Sequence, residues 1–288
     1  MSEPRTLTLD APGATVAYDI RDPEGGSTEP PLLMIGLPMD ASGFTTLAGH
    51  FSDRTVVTYD PRGTGRSKRS AGGVLTPDQH ADDVRRVISA LGDEPVDIFG
   101  SSGGALTALA LVARHPDQVR TLVAHEPPTA QVLPDREEGL AATAGIHEVY
   151  ERDGFGPGMA KFIALTSLKG PIPSEFAEQP APDPAAFGLP AEDDGSRDDM
   201  LLANMVGTTH YELDFAALQA APTRVVIGVG AESEGEMAHR AALEVAKRLG
   251  TEAVIFPSHH GGFLGPESGY AGQPEAFAAK LREVLAGG

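Results

Sequence analysis

The residues Gly100-Ser101-Ser102-Gly103-Gly104 stand between an apolar run, "PVDIF", and a run of small and aliphatic residues, "ALTALALVARH". A serine hydroxyl is a weak nucleophile until a base takes its proton, and it must project into a cleft to meet a carbonyl carbon. A Gly-x-Ser-x-Gly spacing does the second task, because small residues two before and two after the serine allow a sharp strand-to-helix turn. Gly100, Ser102 and Gly104 satisfy that spacing. Ser101 does not, since its frame puts bulky Phe99 at the first small position. Ser102 is therefore the nucleophile candidate, set against the plainer alternative of a Ser/Gly turn that only joins strand to helix. The chain has no cysteine, which removes disulfides, thiolate ligands and a cysteine nucleophile. The segment "RGTGRS" lacks the Gly-Lys-Ser/Thr ending of a phosphate loop. No two histidines and a carboxylate fall at metal-ligand spacing, so neither metal nor cofactor is expected.

The elements that must position Ser102 follow from hydrophobic pattern and turn chemistry. "RTLTLD" and "ATVAYDIRD" read as an antiparallel strand pair around a turn at Pro12-Gly13. "PPLLMIGLP" is apolar throughout, as suits a strand covered on both faces, and "RTVVTYD" is another short strand. Thr76, Pro77 and Gln79 spell a capping box with proline at the first helical position. Val84, Val87, Ile88 and Leu91 continue that helix at 3.6-residue spacing, and Gly92 ends it. "EPVDIFG", the helix from Gly103 and the strand "VRTLVAHEPP" follow in turn. This alternation implies βαβ units and a mostly parallel sheet. From Thr129 to Ala221 the rhythm breaks into helix-like pieces, Glu137–Glu151, Gly158–Leu168 and Asp198–Val206, joined by Pro- and Gly-rich stretches. It resumes with "TRVVIGVG", "EMAHRAALEVAKRLG", "TEAVIFP" and "PEAFAAKLREVLA". The expected organisation is a core of residues 1–128 and 222–288 with a helical cap, 129–221, inserted into it.

"IGLP" after an early strand, "YDPRGTGRS" after the next, "GSSGG" at the turn and a histidine near the end together resemble the α/β-hydrolase family with a helical cap. The resemblance spans nearly the whole chain. It implies an α/β fold with an eight-stranded, mostly parallel sheet flanked by helices, the cap entering after the sixth strand. It also places the base in "FPSHHGGFLG", at His260 or His259. His260 is preferred because Gly261 and Gly262 give the sharp turn that aims an imidazole inward, leaving His259 as a neighbour. The family's commonest acid position, three residues beyond a Gly after the strand that follows the cap, holds Ser233 here, with Glu232 and Glu234 out of register. The other known position is the end of the strand after the nucleophile helix, where Glu126 stands in "AHEPP". A cap-bearing subset that includes the zearalenone lactonase has a glutamate in a similar "HE-x-P" setting. Glu126 is therefore the first choice of acid, with Glu232 and Glu234 as alternatives. Oxyanion donors are expected at the backbone N–H groups of Gly103 and Leu37, with Gly36 as the alternative to Leu37. Ile35 occupies the position where the family usually has His. Asp60 and Arg62 of "DPRGTGRS" are expected to hold their own loop.

The chain's 288 residues carry a net charge of −19, which repels phosphate backbones and anionic lipid, so neither nucleic acid nor membrane is an expected partner. No apolar run is long enough to span a bilayer and the first residues do not read as a secretory signal, so a cytoplasmic monomer or homodimer is expected. Phe162, Leu165, Phe176, Phe187, Leu201, Leu202, Met205, Tyr211 and Phe215 make the cap apolar, which points to an apolar substrate. The expected function is hydrolysis of a small ester or lactone through Ser102, His260 and Glu126. C–C bond hydrolysis or perhydrolysis at the same residues, and ligand binding without turnover, are the alternatives.

Overall fold

The computed structural model describes residues 3–70, 72–92 and 94–287. Its strands are β1 (Arg5–Ala11), β2 (Ala14–Arg21), β3 (Leu32–Ile35), β4 (Val56–Tyr59), β5 (Lys68–Arg69), β6 (Val96–Ser101), β7 (Val119–His125), β8 (Arg224–Gly230) and β9 (Val254–Phe256). Eight of them make one sheet in the order β1-β2-β4-β3-β6-β7-β8-β9, and β5 pairs with β2 beside this path. Pairings β1–β2 and β2–β4 are antiparallel, and every pairing from β4 onward along the path is parallel. The two-residue β5 has no apolar pattern to announce it; it forms because the turn before it folds back on β2. β3, β4 and β6 are buried along their whole lengths, Thr58 of β4 and Asp97 of β6 included.

Helices α1 (Thr45–Gly49), α2 (Pro77–Leu91), α3 (Gly103–Arg114), α9 (Met237–Leu249) and α10 (Pro274–Ala286) flank the sheet. The capping box of α2 forms in both directions: Thr76 Oγ1 accepts from Gln79 N–H, and Gln79 Oε1 accepts from Thr76 N–H. One face of the sheet packs against α2, α3 and α9 through residues such as Val84, Ile98, Leu109 and Val245. The other face packs against α1 and α10 through Phe44, Phe99, Phe263 and Phe277.

Between β7 and β8 the chain runs through α4 (Arg136–Asp153), α5 (Phe155–Thr166), α6 (Met200–Ala203), α7 (Met205–Thr209) and α8 (Phe215–Ala220) with no strand among the described residues. The single helix read over Asp198–Val206 is two short ones, broken at Asn204. The Asn204 side chain reaches out of the helix to accept from Leu75 N–H at 2.8 Å, while its amide donates back to Met200 O at 2.9 Å. Among the described residues no helix is long and apolar enough to cross a membrane.

Candidate active site

The parallel register brings three loop starts to the same edge of the sheet: Ile35 pairs with Gly100, Ser101 with His125, and His125 with Gly228. Ser102, Glu126 and the loop after Gly230 therefore emerge side by side at the carboxyl ends of β6, β7 and β8. β3 and β6 are neighbours although distant in sequence, and this reversal of strand order opens a crevice between Leu37 and Ser102.

Ser102 caps α3 with φ 56° and ψ −125°, a left-handed conformation for a residue with a Cβ. Its backbone N–H donates to His125 O at 2.9 Å, which ties the turn to the next strand. The flanking glycines are there because nothing else fits. A Cβ on Gly100 would lie 2.9 Å from Gly104 O, and one on Gly104 would lie 2.3 Å from Ile35 O. Both contacts are with backbone, so side-chain repacking cannot relieve them. A Cβ on Gly103 would sit 2.9 Å from Leu37 O, which shows how closely Leu37 lies against the start of α3. The backbone N–H groups of Leu37 and Gly103 donate to no acceptor among the described residues. Leu37 lines the same cavity as Ser102 and Gly103, whereas Gly36 does not.

Glu126 is fully buried and has φ 48°, held there by its N–H donating to Gly228 O at 3.0 Å. One carboxylate oxygen accepts from His260 Nδ1 at 2.5 Å. The other accepts from Gly230 N–H at 2.8 Å and from the Ser233 hydroxyl. Burial alone would raise its pKa, but the His260 hydrogen bond, the neighbouring imidazoles and the Ser233 hydroxyl outweigh it and bring the carboxyl down to about 2. Glu126 is therefore ionised and can only accept, so the proton between it and His260 belongs to Nδ1 and leaves Nε2 as the free acceptor.

His260 lies in the turn after β9, fixed by Gly262 N–H donating to His259 O at 2.8 Å and by Gln273 N–H donating to Gly262 O at 2.9 Å. His259 accepts from Gly261 N–H through Nδ1 at 3.0 Å, and its ring packs on Tyr270 with centroids 4.3 Å apart and planes tilted by 31°. Glu232 turns elsewhere, accepting from Ser258 Oγ at 3.3 Å and Gln273 Nε2 at 3.0 Å, and Glu234 is exposed to solvent. Asp60 and Arg62 do hold their loop. Asp60 accepts from Ala41 N–H at 3.1 Å and Arg66 N–H at 2.7 Å, and Arg62 makes a buried fork with Asp83 at 2.5 and 2.6 Å.

Two residues that the sequence reading did not assign belong to this constellation. Ser233 occupies the position where the resemblance expects an Asp, and its hydroxyl instead holds Glu126. The signal was on hand, since its register beyond Gly230 is visible in the sequence, but a serine there has no meaning until Glu126 is seen beside it. His125 is fully buried, with both ring nitrogens lacking a hydrogen-bond partner, among the rings of Phe99, Phe256 and Phe277. Burial pushes its pKa down to about 4, although the Glu126 charge pulls the other way, so it is neutral at pH 7.

Ser102, Gly103, Leu37 and His260 all line one cavity of about 550 Å³. Of the apolar residues between β7 and β8, Phe162, Leu165, Leu201 and Met205 line it, with Met200. Phe176 and Leu202 are buried elsewhere, Tyr211 donates its hydroxyl to Asp78 at 2.8 Å, and Phe187 is 41% exposed.

Residues 30–158 match a family described as the alpha/beta hydrolase fold. Over 285 residues the chain is 31% identical to the uncharacterized hydrolase YraK of Bacillus subtilis strain 168, covering 96% of this chain and 95% of that one. It is 38% identical over 146 residues to the 2-hydroxymuconate semialdehyde hydrolase of Pseudomonas putida, covering 50% of this chain and 48% of that one. The crystal structure of the enol-lactonase of Burkholderia xenovorans LB400 superposes with a TM-score of 0.67 at 19% identity, covering 97% of this chain and all of that one, 100%. With a nearly full-length relative, a matching sheet and a serine at the strand–helix turn, the chain belongs to the alpha/beta hydrolase family of enzymes.

Proposed function

We propose that this hydrolase cleaves carboxylic esters or lactones of mainly apolar small molecules, with Ser102 as nucleophile, His260 as base and Glu126 as the acid that orients it. The observation that carries the reading is the 2.5 Å hydrogen bond from His260 Nδ1 to buried, ionised Glu126 at the wall of the cavity that Ser102 also lines. His260 Nε2 takes the Ser102 proton as Oγ adds to the carbonyl carbon. The oxyanion that forms accepts from the N–H groups of Gly103 and Leu37, which donate to no other acceptor among the described residues. The carbon–oxygen bond to the leaving alcohol then breaks, and the alkoxide takes the proton from His260. Water adds to the acyl-enzyme by the same route, passing a proton to Nε2, and Ser102 is regenerated as the acid departs. Throughout, Glu126 holds the Nδ1 proton and offsets the imidazolium charge. Residues 129–221 act as a cap whose apolar side chains exclude water from the acyl group.

A fluorophosphonate probe is expected to label the wild-type protein and not Ser102→Ala. On a chromogenic short-chain ester, Glu126→Ala is expected to lower kcat/KM by at least about a hundredfold, and Glu232→Ala to leave it within about threefold. The reverse pattern would move the acid to Glu232. The partial likeness to a 2-hydroxymuconate semialdehyde hydrolase supports a second reading, C–C bond hydrolysis at the same residues. Turnover of a vinylogous 1,5-diketone in the absence of turnover of any ester or lactone would favour it.

A further inference from the structure

Among the described residues that line the cavity, Glu236 is the one carboxylic acid. Glu236 caps the start of α9, where its N–H donates to Ser233 O at 3.0 Å and its C=O accepts from Arg240 N–H at 2.9 Å. These backbone bonds fix its Cα, and the residue lines the cavity. Its carboxyl oxygens make no hydrogen bond and no ion pair with any described residue. Of the nearby cations, Arg240 pairs with Asp135, and Lys169 Nζ reaches the backbone O of Glu232 at 3.5 Å while its charge acts on Glu236 without a direct contact. Among the described residues that line the cavity there is no Lys or Arg. The rest of the wall is apolar, carries hydroxyls such as those of Thr143, Thr208 and Thr209, or presents the imidazoles of His259 and His260. Burial and the charge of Glu126 push the Glu236 pKa up, and Lys169, His260 and His239 offset this only in part.

A half-buried carboxylate that no protein group partners gains free energy from a bound group that supplies a donor and displaces its solvent. A second carboxylate placed beside it meets repulsion, which a partly apolar wall screens less than bulk water does. We propose that Glu236 sets the charge specificity of this cavity, selecting substrates that carry an ammonium or another hydrogen-bond donor and rejecting those that carry a carboxylate. The inference rests on the ester or lactone reading of the same site and narrows its substrate class.

The test uses p-nitrophenyl esters of hexanoic, 6-hydroxyhexanoic and 6-aminohexanoic acids and the adipic half-ester, which differ only at the far end of the acyl chain. Acetate esters with the same groups on the alcohol half probe the other end of the cavity. In at least one series the wild-type kcat/KM is expected to favour the ammonium ester over the carboxylate ester by about a hundredfold, with the hydroxyl ester above the unsubstituted one. Glu236→Gln is expected to shrink the ammonium-to-carboxylate ratio at least about tenfold. The ratio is taken within each protein, so a general loss of activity cancels. A wild-type ratio near one in both series overturns the proposal, and needs no variant to do so. A ratio that survives Glu236→Gln assigns the selectivity elsewhere and overturns it too. Failure of the wild-type protein to hydrolyse any of the esters, unsubstituted ones included, overturns the ester reading itself and this inference with it.

Discussion

Glu126 shows how much chemistry one residue can take from three neighbours. Its two oxygens accept from His260, Gly230 N–H and the Ser233 hydroxyl, and those bonds hold it ionised in a site where burial alone would neutralise it. In the proposed mechanism the Ser233 bond matters because it keeps the carboxylate pointed at Nδ1. Ser233→Ala removes one donor to a buried charge, a loss of about 1.5–3 kcal/mol, and is expected to lower kcat on an ester about ten- to a hundredfold. The measurement is kcat and KM on one chromogenic substrate; a change confined to KM would show that Ser233 does not act through Glu126.

At the scale of elements, the turn between β6 and α3 is decided by space. Ser102 adopts φ 56° because strand and helix must cross within two residues, and the crossing leaves no room for a Cβ at Gly100 or Gly104. Ser102 itself carries the conformational cost, of order 1–3 kcal/mol, that the buried strand and helix on either side must offset. Gly104→Ala drives a methyl group into the carbonyl of Ile35 and so separates β3 from α3. It is expected to lower stability by about 2–4 kcal/mol in urea unfolding and to cut activity more than stability, because the Leu37 N–H moves with β3. Ser101→Ala leaves that crossing untouched and is the matched control.

The whole molecule answers to pH through its buried histidines. Burial pushes His125 down to about 4 and His80 down to about 3, and the positive charge of Arg62 and Arg69 adds to the effect at His80. Both folded-state values lie below the unfolded value of about 6.5. The unfolded chain therefore binds protons first as the pH falls. Stability is lost progressively from about pH 6.5 down to the folded pKa and is constant in these groups below it. For His125 alone the loss between pH 7 and pH 4 is about 3 kcal/mol. His125→Leu fills the same aromatic pocket without titrating and is expected to flatten the dependence of the urea midpoint over that range. An unchanged slope would place the acid sensitivity in other groups.

Much of the architecture was legible in the order of residues alone, because the rules that read it are local. An unbroken apolar run marked β3, and short apolar-rich runs between turns marked β4 and β6; the Thr76-Pro77-Gln79 box marked the start of α2; and glycine spacing separated Ser102 from Ser101. The break at Asn204 was not legible, since it depends on a hydrogen bond to Leu75, 129 residues away. The two-residue β5 was missed for a related reason, having no pattern of its own. The tertiary structure alone decided which carboxylate meets His260, because Glu126 and His260 are 134 residues apart and Glu232 was the nearer in sequence. It also gave Ser233 a partner and put Glu236 on the cavity wall. Hydrophobic period and turn chemistry act over a few residues, whereas these pairings depend on the order in which strands join the sheet, and that order is set by the packing of the whole chain.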